Sequence, residues 1–127
     1  MRDQHEVELH SKRLTDFQLR RIVRASEHVY DAPITACLSD VFVSNGVAVG
    51  VVFGHTKVDR FGRFADGHFM RTSSIRYAKK EGRFWVLTTL NSRYLVASFK
   101  KGGGRATFRS FLQLAKNTSH VPPTVFL

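Results

Sequence analysis

The sequence predicts an α+β domain, in which an antiparallel β-meander of about five strands packs with an N-terminal and a C-terminal helix. Apolar residues recur every three or four positions near both ends of the 127-residue chain, but alternate with a period of two from residue 41 onward. Short turn sequences interrupt the alternating region. We expect one domain, 1–127, with residues 1–13 as an N-terminal arm, 118–127 as a C-terminal tail, and both helices on one face of the sheet.

The helices are predicted from their apolar stripes and from their end signals. The first begins at Thr15 or Asp16, either of which can cap it, and runs to about His28 or Tyr30, before "DAP" at 31–33, because the residue before proline avoids helical angles. The second covers about 105–117. The predicted buried stripe of the first comprises Leu19, Ile22, Val23, Ser26, Val29 and Tyr30, and that of the second comprises Phe108, Phe111, Leu112 and Ala115.

The strands are separated by residues that favour turns. Four turns are predicted, at Asn45-Gly46, Asp66-Gly67, Lys79 to Gly82, and Asn91-Ser92. Between the second and third turns the alternation is clean. It places Phe69, Arg71, Ser73, Ile75 and Tyr77 on one side and Met70, Thr72, Ser74 and Arg76 on the other.

The positive charge is concentrated in one part of the chain. The formal net charge is +10, and residues 1–40 hold six basic and seven acidic residues, whereas residues 41–127 hold fourteen basic and three acidic ones. This asymmetry indicates a polyanionic or acidic partner: the backbone of DNA or RNA, or an acidic protein surface. A role in solubility alone is the alternative.

Other features of the sequence indicate the cellular compartment of the protein. A single cysteine excludes an intramolecular disulfide and a cysteine-based zinc site, and it fits a reducing cytoplasm. The first ten residues lack the apolar segment of a signal peptide, and the longest apolar run, "VAVGVVF", is too short to span a bilayer. We therefore expect a cytoplasmic protein with no membrane contact.

The stretch "FKKGGGRATFRSFLQLAK" contains the first candidate site. Its lysines precede the glycines and the glycines are consecutive, so it matches neither a Walker loop nor a dinucleotide fingerprint. Glycines at a helix start can nevertheless bring the backbone close to a phosphate, and a flexible connection is the alternative. The candidate anion-binding residues are Lys100, Lys101, Gly103, Arg105, Arg109 and Lys116.

The second candidate site combines basic and aromatic residues in "DRFGRFADGHFMR" and "KKEGRFW". Bases stack on aromatic rings beside arginines in proteins that bind single strands, but neither stretch matches the RNA-recognition consensus and a small domain needs these rings in its core. We expect the basic residues to form a rim that contacts phosphates. They are Arg76, Lys79, Lys80 and Arg83.

The chain offers little for catalysis. Only Asp59, Asp66 and Glu81 are acidic after residue 40, and no nucleophile elbow is present. Cys37 is predicted to be a small core residue. We predict no enzymatic activity, no cofactor and no metal site.

Two segments, "GRFADGHFMRTSSI" and "RFWVLTTLNSRYLV", resemble a strand-turn-strand pattern of small, uncharacterised phage and mobile-element proteins. The shared core runs from Asp66 to Ile75 and from Thr89 to Leu95, about a quarter of the chain. The resemblance implies a phage setting, and it implies no catalytic residues.

These observations favour a small, basic, non-enzymatic protein that binds DNA or RNA mainly through phosphate contacts. The alternative is a phage-encoded inhibitor that binds and blocks a host protein, in the host cytoplasm. Exposed strand edges make a homodimer a further expectation.

Overall fold

The computed structural model describes residues 15–56 and 65–116, which form two helices and six strands. The predicted N-terminal arm and C-terminal tail lie outside the described residues. The elements in chain order are α1 (Asp16–Ser26), β1 (Ala36–Ser44), β2 (Val47–Phe53), β3 (Phe69–Ser74), β4 (Tyr77–Glu81), β5 (Phe84–Thr88), β6 (Arg93–Val96) and α2 (Gly104–Lys116).

All six strands form one sheet in the order β3-β2-β1-β6-β5-β4. Neighbouring strands are antiparallel except β1 and β6, which pair in parallel from Ala36↔Tyr94 to Leu38↔Val96. The prediction of an α+β fold with a mostly antiparallel sheet is confirmed. The first and last strands of an odd-numbered meander run in the same direction, so they can pair only in parallel.

The sheet is strongly curled. Strands β3 and β4 occupy opposite edges, yet only Ile75 and Arg76 separate them in the chain. Six flat strands at about 4.8 Å spacing would place the edges roughly 24 Å apart, whereas each residue spans at most about 3.6 Å. The N–H of Ile75 donates to the carbonyl of Gly46, and the next N–H, of Arg76, donates to Thr88. The two edges therefore meet at this bend.

The bend explains two differences from the sequence prediction. It divides the third strand of the expected meander into β3 and β4, which gives six strands instead of about five. It also interrupts the alternation: Met70, Thr72 and Ile75 are buried, whereas Ser73 and Ser74 are both exposed. The predicted clean alternation through residue 77 is therefore wrong at Ile75.

Three of the four predicted turns are confirmed, whereas the turn predicted from Lys79 to Gly82 is shorter: Lys79, Lys80 and Glu81 belong to β4, and the chain turns at Gly82 and Arg83. Asn45 and Gly46 have φ angles of 52° and 77°, as expected for a tight hairpin, and the carbonyl of Ser92 accepts from the N–H of Thr89. Gly67 and Gly82 also have positive φ angles.

The two helices pack on opposite faces of the sheet, and the prediction of a shared face is wrong. The larger core contains Leu38, Val96 and the α2 residue Phe108, whereas the smaller core contains Leu95 and the α1 residue Ala25. Successive residues of one strand point to opposite faces, so adjacent Leu95 and Val96 belong to different cores.

Helix α1 begins where the sequence predicts. Thr15 accepts a hydrogen bond from the N–H of Gln18, and the Gln18 side chain accepts one from the N–H of Thr15, which completes a capping box. The helix ends at Ser26, before the expected His28 or Tyr30. Its buried stripe also differs from the prediction: Ala25 is buried, while Leu19 and Val23 are 45% and 56% exposed.

Helix α2 is anchored to β1 by a close approach. A Cβ on Gly104 would lie 2.4 Å from the carbonyl oxygen of Val41, so only glycine fits there. The Thr107 hydroxyl accepts from the N–H of Val43 at 2.8 Å. These contacts fix the start of α2, and with it the preceding loop, against the sheet. Neither described helix is long and apolar enough to cross a membrane.

Candidate functional site

Three separate parts of the chain bring basic side chains to one surface. Helix α1 contributes two arginines, the β4–β5 hairpin a lysine and an arginine, and the loop into α2 two lysines, which the first turn of α2 follows with an arginine. They line three adjoining depressions that all include Arg21. We call this surface the basic cleft; it comprises Arg21, Arg24, Lys80, Arg83, Lys100, Lys101 and Arg105.

The widest part of the basic cleft is an open groove of about 1040 Å³ between α1 and the loop into α2. Four of its lining residues are basic, whereas Asp40 is the one acidic residue among the described residues that line it. The electrostatic potential of the groove is therefore positive, and an anionic partner fits it. The basic lining residues are Arg21, Lys100, Lys101 and Arg105.

A hydrogen-bonded network forms the floor of the groove. Asp40 lies at a β-bulge of β1 with a φ angle of 55°, which is uncommon for a residue other than glycine. The side-chain amide of Gln18 donates to both of its carboxylate oxygens, at 2.9 and 2.8 Å. The Ser98 hydroxyl accepts from the N–H of Asp40 and contacts the hydroxyl of Ser39 at 3.0 Å. These polar groups are hydrogen-bonded to one another, and the bond between Gln18 and Asp40 fixes α1 to the sheet.

Aromatic rings support the cations of the groove. The Arg105 guanidinium lies over the Phe99 ring at 4.7 Å, and the Lys100 ammonium lies over the Phe42 ring at 5.1 Å. On the opposite wall the Arg21 guanidinium lies 5.9 Å from the Phe17 ring centre. Cation–π attraction orients such side chains without removing their charge, so they stay available to a phosphate.

Helix α1 is joined to the cleft through Arg21. Its Nε donates to the carbonyl of Ala97, just beyond β6, at 3.1 Å. Arg21 also lines the adjoining depressions, one of them together with both Arg83 and Arg105.

The three glycines of "KKGGGR" have different roles. Gly102 and Gly103 are exposed, have φ angles of 82° and 157°, and would meet open space with a Cβ. Gly104 is buried against β1, and its N–H donates to the carbonyl of Lys100 at 2.9 Å. The predicted role of Gly103 in anion binding stays a prediction. Its backbone is exposed, so an anion could reach it.

The structure brings together five of the predicted site residues. Lys100, Lys101 and Arg105 meet Lys80 and Arg83 in the basic cleft, although these two groups are about twenty residues apart in sequence.

Three other predicted side chains, Arg76, Lys79 and Arg109, do not line the described depressions of the basic cleft. Lys79 alternates with Lys80 along β4 and forms an ion pair with Asp31 at 2.7 Å instead. Arg76 is exposed at the bend, and Arg109 is exposed on α2 outside the cleft lining. The side chain of Lys116 lies outside the described part of the chain. The charge of Lys79 is matched by Asp31 within the fold, so we leave Lys79 out of the basic cleft, and its role in anion binding stays a prediction.

Two cleft residues were missed by the sequence analysis. Arg21 and Arg24 fall three positions apart on α1 and share a face, but the sequence favours a general charged exterior for them. The available signal was "LRRIVR", which places arginines next to the apolar stripe. Gln18 and Asp40 carried no local signal, since their pairing joins residues 22 positions apart.

A second group of charges lies on the face of the sheet that α1 covers, and we call it the ion-paired cluster: Asp31, Lys79, Glu81 and Arg93. Glu81 and Arg93 form a buried ion pair, with side chains 4% and 18% exposed. The other Glu81 oxygen accepts from the N–H of Asp31 at 2.8 Å. The hydrogen bond from Lys79 lowers the pKa of Asp31, and Asp31 raises the pKa of Lys79 in return.

The described residues show no cluster suited to a metal ion. Among 15–56 and 65–116, no three His, Cys, Asp or Glu side chains come together in a way that could hold one. Cys37 is buried on β1, as predicted, and burial raises the pKa of its thiol to about 12. The thiol is therefore protonated and unreactive near neutral pH.

Comparisons with known proteins give no family for this chain. No family model, curated protein or solved structure matches it significantly. The resemblance to small phage and mobile-element proteins stays a prediction, and a function has to be argued from the geometry.

Proposed function

We propose that the protein is a small, non-enzymatic nucleic-acid-binding protein that contacts the phosphate backbone through the basic cleft. One observation carries the proposal: seven cations from three distant segments converge on one surface that contains a single described carboxylate, Asp40. Like charges repel when they are gathered, so such a cluster costs stability unless a polyanion binds to it.

The chemistry of the cleft suits phosphate contacts better than the reading of base edges. Lysine and arginine side chains donate to phosphate oxygens and, among the bases, to guanine, whereas reading adenine or cytosine needs a free amide or carboxylate at a defined position. The amide of Gln18 and the carboxylate of Asp40 bind each other in the floor of the groove. We therefore expect weak dependence on sequence and strong dependence on salt.

The test is a salt series measured by fluorescence anisotropy with mixed-sequence DNA and RNA oligonucleotides. The logarithm of the affinity should fall linearly with the logarithm of the salt concentration, because phosphate contacts release counterions. Replacing Lys100, Lys101 and Arg105 together by alanine should lower the affinity and reduce the slope by roughly one unit per lost contact.

A matched control removes the same amount of charge elsewhere. The triple variant Arg71→Ala, Arg76→Ala and Lys79→Ala changes three cations outside the cleft, and it should bind almost as the parent does. Equal losses in the two triple variants would show that the cleft is not the binding surface. Flat or absent binding across the salt series would refute the proposal itself.

Trp85 offers an internal probe of the same site. It is the single tryptophan of the chain, it lies half-buried beside Arg105 and Lys80, and its ring contacts Phe108 edge to face. An occupied cleft should change its emission, and the change should be lost in the Lys100/Lys101/Arg105 variant.

A second candidate function, binding to a partner protein, is favoured by one separate feature. The apolar side chains of Leu19 and Val23 are exposed on α1 and are flanked by Asp16, Arg20 and Glu27. An apolar centre with a rim of mixed charge is typical of protein interfaces. If this function holds, changing both apolar residues to serine should abolish capture of a host protein, whereas the cleft variant should retain it.

A further inference from the structure

Phe17 stands out because a large aromatic ring is left open on the wall of a charged groove. It is 62% exposed, it lines the groove, and the Arg21 guanidinium lies beside it. Other rings of the groove region are less open: Phe99 and Phe42 are half-buried, and cations lie over them. Phe17 also has a cation over it, Arg21, but at 62% exposure much of its ring surface stays open next to the other basic side chains of the groove.

The groove can hold more than a phosphate. Its volume of about 1040 Å³ lies just above the roughly 300–1,000 Å³ that is usual for small-molecule pockets. Planar groups attached to a phosphate chain would thus fit between α1 and the loop into α2, with their phosphates next to Lys100 and Lys101.

The floor does not offer the hydrogen bonds that would select one base. The Gln18 side chain donates to Asp40 and accepts from the N–H of Thr15. The Ser98 hydroxyl is engaged with Ser39 and with the N–H of Asp40. What remains for a base is a ring to stack on, and every base has a π face.

We propose that the basic cleft binds single-stranded nucleic acid, with a base stacked on Phe17 and the flanking phosphates held by Arg21, Lys100, Lys101 and Arg105. This inference rests on the proposed function and sharpens it. In a duplex the bases stack on one another and their faces are closed to a side chain, so only an unpaired strand can use Phe17.

The experiment compares single strands with a duplex of the same sequence and length, at one salt concentration, in DNA and RNA versions. The parent protein should bind at least one single strand clearly more tightly than the duplex. Phe17→Leu keeps an apolar side chain but removes the π face. It should weaken single-strand binding by roughly 5- to 150-fold, the range for loss of one stacked base, and leave duplex binding unchanged.

Two further variants separate stacking from general damage. Phe69→Leu removes a ring that is equally open, at 58% exposure, but lies on β3 outside the groove, so it should bind as the parent does. Phe17→Trp should retain single-strand affinity. Binding by the DNA strand, the RNA strand or both supports the inference and identifies which sugar is accepted.

Two results would overturn the inference while leaving phosphate binding intact. One is equal affinity for single strand and duplex together with a steep salt dependence. The other is a loss in Phe17→Leu no larger than that in Phe69→Leu. Absence of salt-dependent binding to any nucleic acid would instead refute the proposed function, and with it this inference.

Discussion

The basic cleft and the ion-paired cluster show two opposite ways of placing charge on a small domain. In the ion-paired cluster, Glu81 is matched with Arg93 and Asp31 with Lys79. In the basic cleft, seven cations face a single described carboxylate. Charges that serve the fold are paired within it, whereas an unmatched set is what a charged partner requires. The contrast predicts that substitutions in one region change stability and substitutions in the other change binding.

The largest effect is expected from Glu81→Ala. It leaves the half-buried Arg93 guanidinium without its partner, and breaking a buried ion pair costs about 3–5 kcal/mol. Urea unfolding should show this loss of unfolding free energy. Under conditions in which Glu81→Ala is still folded, it should bind nucleic acid with the affinity of the parent. Lys79→Ala, which breaks the exposed pair, is the control and should unfold at nearly the parent midpoint. A loss no larger than that of the control would contradict the structural role of the buried pair.

A smaller loss is expected from Gly104→Ala, because the basic cleft depends on the close approach of α2 to β1. A methyl group 2.4 Å from the Val41 carbonyl forces the helix start to move, and overpacking of this kind costs about 1–3 kcal/mol. The loop that carries Lys100 and Lys101 should shift with it, so affinity should fall as well. Ser110→Ala, an exposed change on the same helix, should alter neither quantity. Unchanged stability in Gly104→Ala would show that the contact is not tight.

Charge reversal in the cleft should separate binding from stability. Arg83→Glu places a negative charge among the cations, so we expect a roughly tenfold loss of affinity and a change in unfolding free energy within about 0.5 kcal/mol. Arg71→Glu, outside the cleft, is the matched variant for anisotropy titration and urea unfolding. Marked destabilisation by Arg83→Glu would place this residue with the structural charges instead.

The smallest effect concerns the exposed pair of the ion-paired cluster. Because the folded state lowers the pKa of Asp31 below 3.8, the pair stabilises the fold above that pH and the stabilisation is lost as the pH falls through the folded value. The raised pKa of Lys79 gives the opposite limit, since the stabilisation is present below pH 10.5 and is lost as the pH rises through its folded value. The difference in Tm between the parent and Asp31→Asn should therefore be small between these limits and vanish beyond them. A difference that persisted in strong acid would contradict the assignment.

The features that the sequence predicts well are those with local causes. The Asn45-Gly46 and Asp66-Gly67 turns depend on residues that tolerate positive φ angles, and the capping box at Thr15 depends on a residue three positions later. The loop from Lys100 to Arg105 is local too, which is why its cations were identified together.

The features that the sequence hides depend on distant partners. The start of β1 was missed because "ACLSD" does not alternate. Ser39 and Asp40 can be buried there only because Ser98 and Gln18, far away in sequence, satisfy them. The buried side of α1 was misjudged for the same reason, since Gln18 and Arg21 bind the sheet through Asp40 and Ala97 while Leu19 and Val23 stay exposed.

The cleft itself could be predicted only in part. The sequence does not distinguish the adjacent lysines Lys79 and Lys80. Because successive side chains of β4 point to opposite faces, Lys79 pairs with Asp31 whereas Lys80 lines the cleft. Arg21 joins the cleft only because α1 packs across Ala97. Both outcomes follow from tertiary packing.

The parallel pairing of β1 with β6 has a consequence for how this chain is made. Ala36 finds its partner in Tyr94, and Phe108 of α2 completes the larger core only after that. When a growing chain has emerged from the ribosome only as far as β3, strand β1 is paired with β2 but has no neighbour on the side that β6 occupies in the finished sheet. Its apolar surface stays uncovered until β6 and α2 have been synthesised, so assembly of the fold has to wait for these late elements.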